Sequence, residues 1–102
     1  MGFAMSKEDD KSAFEEKVAA QLKEWNAKID ELEAKADKAE ADAKIKYREQ
    51  LDDVRKKRDD LRHKLDDMKS KSGSAWDEVK GGVEKAWDEL KKSVDHARDR
   101  MK

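Results

Sequence analysis

From Val18 onward the larger apolar and alanine positions fall at Val18, Leu22, Trp25, Ile29, Leu32, Ala36, Ala39 and Ala43, spaced 4-3-4-3-4-3-4. That is the a/d seam of a coiled coil, and Phe14 extends it by one more step of four. Two further steps of four, to Tyr47 and Leu51, form a stutter that locally unwinds a left-handed supercoil. The seam resumes as Leu51, Val54, Arg58, Leu61, Leu65 and Met68, with Ile45 the main apolar residue off it. No Gly or Pro lies between Lys7 and Lys71. The pattern therefore predicts a flexible N-terminus over 1–7 and one long coiled-coil helix over 8–72, on the order of 100 Å long.

Ser70-Lys71-Ser72-Gly73-Ser74 is the turn-like stretch. A turn at 73–74 is expected, with Gly73 available for a helix C-cap and Ser74 for the next N-cap. A second amphipathic helix over 75–102 follows, and it carries a repeat. Ala75-Trp76-Asp77-Glu78-Val79-Lys80 returns as Ala86-Trp87-Asp88-Glu89-Leu90-Lys91, and a partial third copy starts at Ala97. The period is eleven, close to a straight helix. Its packing stripe is Trp76, Val79, Val83, Trp87, Leu90, Val94 and Met101, one residue wide. Gly81 and Gly82 lie off that stripe and cost about 1 kcal/mol each relative to Ala; whether they break the helix is left open.

Composition supports the helical reading. Half the 102 residues are charged and 35% are apolar, and 13 of the 36 apolar residues are Ala. A globular core usually draws on about 45–50% apolar residues, so an ordinary globular enzyme is not expected. Leu, Ile, Val and Phe make only 15 of 102, a level seen in disordered chains, but those usually carry high net charge and this one carries −1. The periodicity decides for an all-α fold: a long helix, a turn and a shorter helix, forming a helical hairpin.

The long seam is close to a palindrome about residues 39–40. Phe14 matches Leu65, Val18 matches Leu61, Trp25 matches Val54, Ile29 matches Leu51, Leu32 matches Tyr47 and Ala36 matches Ala43. Residues 8–39 carry ten acids and six bases, whereas 40–72 carry nine acids and eleven bases. Antiparallel pairing sets the acidic half on the basic half, and it lets Arg58 face Leu22 and snorkel outward, away from its own copy. The expectation is an antiparallel homodimer crossing at the alanine cluster. The second helix folds back along 46–72, so that each end becomes a three-helix bundle. The self-association seam is then Phe14, Val18, Leu22, Trp25, Ile29, Leu32, Ala36, Ala39, Ala43, Tyr47, Leu51, Val54, Leu61, Leu65 and Met68.

Candidate chemistry adds little. The chain has no Cys, which removes disulfides, thiolate zinc sites and Cys nucleophiles. His63, with Asp59, Asp66 and Asp67 within one turn, reads as a solvated histidine among helix-surface ion pairs. Arg55-Lys56-Lys57-Arg58 is flanked by Asp52, Asp53, Asp59 and Asp60, a balanced, salt-bridged face and not a nucleic-acid site. No catalytic residue, metal, cofactor or small-molecule substrate is expected. The Trp-bearing eleven-residue repeats leave an alternative, a peripheral helix lying on lipid. The stripe is narrow, however, and residues 75–102 carry seven acids and seven bases, which favours a partner helix. Met1-Gly2-Phe3-Ala4-Met5-Ser6 fits the loose myristoylation pattern, which is short and common. No signal-peptide pattern or run of membrane-spanning length is present, so a cytoplasmic location is expected.

Three stretches carry a resemblance: Gln21-Leu22-Lys23-Glu24-Trp25-Asn26-Ala27-Lys28-Ile29-Asp30-Glu31-Leu32, the Ala/Asp/Lys run to Tyr47, and the paired Trp-Asp-Glu eleven-mers. Over most of residues 15–101 the chain resembles a small bacterial coiled-coil family labelled stress-response proteins, found in cyanobacteria and proteobacteria. The resemblance implies a soluble, non-catalytic helical protein tied to salt or other stress. It brings no catalytic residues and no mechanism.

Overall fold

The computed structural model describes residues 7–71 and 75–101, with side chains from Asp10 onward. Three helices follow one another: α1 (Lys7–Lys38), α2 (Ala41–Ser70) and α3 (Ala75–Arg100). The long helix expected over 8–72 is thus two helices, parted at Ala39 and Glu40. The seam explains the break. A lone helix of that length would leave its apolar stripe in water, whereas folding back at the palindrome's centre buries one half against the other within the chain. The N-terminal residues 1–6 and the turn expected at 73–74 lie outside the described residues.

Polar contacts set the direction of α1 against α2. The Lys11 ammonium donates to the carbonyls of Lys69 (3.2 Å) and Lys71 (2.6 Å), supplying partners to the C-terminal end of α2. Farther along, Arg58 Nη1 donates to Asn26 Oδ1 (3.4 Å), and Arg55 Nε donates to Glu33 Oε1 (3.0 Å). The α1 numbers rise as the α2 numbers fall, so the pair is antiparallel. On the other side of α2, Ser93 bonds Asp53. Phe14 and Trp25 of α1 meet Trp76 and Trp87 of α3, which makes α1 and α3 parallel. The result is an up-down-up bundle of 58 × 26 × 16 Å in which α3 packs most closely on α2.

One apolar cluster runs the length of the bundle. Val18, Val54, Leu61, Val83 and Leu90 are wholly shielded from water at its centre. Gly81 and Gly82 do not break α3, which continues through both. A Cβ at either position would meet nothing within 4 Å. Gly81→Ala and Gly82→Ala are therefore predicted to stabilise the bundle by about 0.5–1 kcal/mol each, seen as a higher urea midpoint with an unchanged slope.

Candidate functional site

The seam residues are the natural candidate surface, and the structure places them as follows. Val18, Leu22, Trp25, Ile29, Leu32, Ala36, Leu51, Val54, Leu61, Leu65 and Met68 are buried, and Phe14, Ala39, Ala43 and Tyr47 are half-buried. In α3, Trp76, Val83, Leu90 and Val94 are buried, as is Met101 just beyond its end, with Val79 and Trp87 half-buried. Arg58, the cation at a seam position, is half-buried and turns its guanidinium out to Asn26 and Asp59.

The stripe of α3 is wider than the eleven-residue pattern predicts. Ala86, Ser93 and Ala97 are also buried. With Trp76, Val79, Val83 and Leu90 they make a second line spaced 3-4-3-4-3-4, an ordinary heptad seam beside the eleven-residue one. A helix wedged between two others needs two adjacent apolar lines, one for each neighbour. The small residues of the second line escape a reading weighted toward large side chains, but their heptad spacing is a usable signal.

Aromatic rings join α1 to α3. Phe14 lies 6.3 Å from Trp76 and tilted 37° to it, and Trp25 meets Trp87 edge-on at 5.9 Å and 89°. Phe14 and Trp25 are eleven residues apart, as are Trp76 and Trp87, so both pairs share one offset of 62. The repeat in α3 is thus matched by a spacing in α1. Lysine ammonium groups lie over the rings: Lys80 Nζ is 5.4 Å from the centre of Phe14 and 5.6 Å from that of Trp76, and Lys17 Nζ is 5.6 Å from that of Trp87.

The polar faces are occupied by ion pairs. Within the basic tetrad, Arg55 bonds Glu33 and Asp52, Lys57 bonds Asp53, and Arg58 bonds Asp59. The Glu33 carboxylate strengthens the hold of Arg55 on its proton. Among the described residues Ser93 is the buried polar one in the core, and its hydroxyl donates to Asp53 Oδ2 at 2.8 Å. That bond, before Lys57, holds the Asp53 carboxyl below its ordinary range against the opposing effect of burial. His63 and His96 are exposed, and no group of three or more possible metal ligands occurs among the described residues. No described helix is long and apolar enough to cross a membrane. Surface hollows are open clefts; one of about 680 Å³ lies beside the turn, lined by Glu40, Lys46, Tyr47 and Arg100 among others. Comparison of the chain with protein-family models, curated proteins and solved structures gives no match.

The Ser93–Asp53 bond has a measurable signature. Because the folded pKa of Asp53 is depressed, its contribution to stability is present above the unfolded value near 3.9 and is lost as pH falls through the folded value. Ser93→Ala is expected to raise the Asp53 titration midpoint, read by carboxyl NMR. It should cost up to about 1 kcal/mol at neutral pH, kept small by solvent screening of Asp53, and the difference from wild type should shrink in acid.

Proposed function

We propose that this chain is a non-catalytic, self-associating coiled-coil protein with a structural or protective role, its working surface being the helical seam. The observation that carries the reading is the commitment of the apolar side chains. Apart from Ile45, the large hydrophobic residues whose side chains are described are buried or half-buried on helix–helix seams. A seam of this kind joins helices of one chain or of two by the same packing, and its mirror order about residues 39–40 suits an antiparallel homodimer as well as a hairpin. The resemblance to bacterial stress-response coiled coils supports a protective or scaffolding task under salt or other stress, in the cytoplasm and without metal or cofactor.

A second reading, a helix that lies on a lipid surface, draws on the tryptophans of α3. Burial of Trp76 and the edge-on contact of Trp87 with Trp25 weigh against it, since both rings already have protein partners. Sedimentation equilibrium and circular dichroism, with and without anionic phosphatidylglycerol vesicles, separate the two. The expected result is a helical species that dimerises with rising concentration and whose spectrum does not change on adding vesicles. A monomer at all concentrations that binds vesicles and opens its tryptophans to lipid-phase quenchers would replace the first reading with the second.

A further inference from the structure

We propose that self-association proceeds by exchange of α1: the turn at Ala39–Glu40 straightens, residues 7–70 become one helix, and each α1 docks in the groove between α2 and α3 of a second copy. This inference rests on the self-association reading above and specifies its route.

The first observation is that the closed chain offers little surface for docking. Ile45, 61% exposed, is the exposed large hydrophobic residue among those described. Among the described residues, the large apolar contact a second copy could gain lies mostly within the seams.

The second observation is the chemistry of the turn. Lys38-Ala39-Glu40-Ala41 contains no Gly, Asn or Pro, and all four positions hold strong helix formers. Glu40 occupies the N-cap of α2 and makes no side-chain capping bond, where Ser, Thr, Asp or Asn is the usual choice. Its φ of −63° is already helical, and only its ψ of 157° departs from the helix. The turn is therefore imposed by packing and not by its own residues. Straightening it restores helical hydrogen bonds to backbone groups that two helix ends leave without intrahelical partners.

The third observation is that nothing else is lost. Ala36, Ala39 and Ala43 continue the 3-4 spacing through the turn, so a straight helix keeps the seam in phase. The Glu33–Arg55 and Asn26–Arg58 bonds and both aromatic pairs lie between α1 and the other two helices. All re-form between chains. Small side chains at the centre let the two long helices cross closely. The closed and exchanged states thus differ only in the turn and in the entropy of association, which makes the balance depend on concentration. The exchanged helix of 7–70 would be on the order of 100 Å long, against a bundle length of 58 Å for the closed chain.

Ala41→Pro tests this directly. Ala41 is the first residue of α2 and exposed, and Glu40 before it is extended, as the residue preceding a proline prefers. The closed bundle accepts the substitution. A continuous helix does not, because the ring clashes with the carbonyl four residues back. With two such helices per dimer, the variant should dimerise on the order of 10⁴-fold more weakly than wild type while keeping its helix content. In parallel, spin labels at Glu16→Cys and Arg62→Cys, both exposed positions, report the separation within one chain when labelled protein is diluted into excess unlabelled chain. After refolding at high concentration that distance should lengthen to about 70 Å in the dimer. A dimer whose intrachain distance stays short, or an Ala41→Pro variant that dimerises like wild type, overturns exchange and leaves self-association standing. A wild-type chain that remains monomeric after such refolding overturns both.

Discussion

Removal of a narrow apolar seam from water is the interaction on which the rest of this molecule depends. Half of the residues are charged, and 23 apolar side chains larger than Ala must do the work of a core. Three helices that each present a stripe bury or half-bury the described ones apart from Ile45, and Val18, Val54, Leu61 and Leu90 show no exposure. Nothing local demands the fold-back at Ala39 and Glu40. A helix is locally preferred there and yields because the gain from burying two half-seams on each other exceeds the cost of ending one helix and starting another.

Electrostatics chooses among ways of satisfying that demand. The ion pairs along the bundle are half-exposed, and pairs of that kind contribute about 0–1 kcal/mol each. Their arrangement has more effect than their strength. The acidic excess of residues 8–39 lies on the basic excess of 40–72, and Glu33–Arg55 and the capping of α2 by Lys11 fall into place only in the antiparallel sense. Among the described residues the buried hydroxyl is that of Ser93, and it is satisfied by a carboxylate that itself reaches water, so the core holds this polar group at low cost.

Much of this could be read from spacing. The heptad positions from Val18 to Met68 are all buried or half-buried, Arg58 included, and the mirror order about residues 39–40 marks the axis of pairing. Location of the turn was not legible, because Ala39 and Glu40 carry no turn chemistry and the force that breaks the helix acts from residues 20 or more positions away, such as Val18 and Leu61. A mirror-ordered seam defines which segments pair and is silent on whether they belong to one chain. The second line of α3 is hidden for another reason: Ala86, Ser93 and Ala97 have little hydrophobic weight, and their role is to leave room.

The aromatic contacts between α1 and α3 form a ladder with a taper. At eleven-residue intervals α1 presents Phe14, Trp25 and Ala36, and at the same intervals α3 presents Trp76, Trp87 and Arg98. A slip by one repeat in one direction sets Trp76 on Trp25 but leaves Trp87 facing the small, buried Ala36, with no ring to meet it. A slip in the other direction brings the exposed Arg98 against Trp25. A repeat that by its periodicity invites several alignments pairs two rings with two rings in only one of them. The ladder works as a vernier with a single setting, whichever chain supplies the opposing scale.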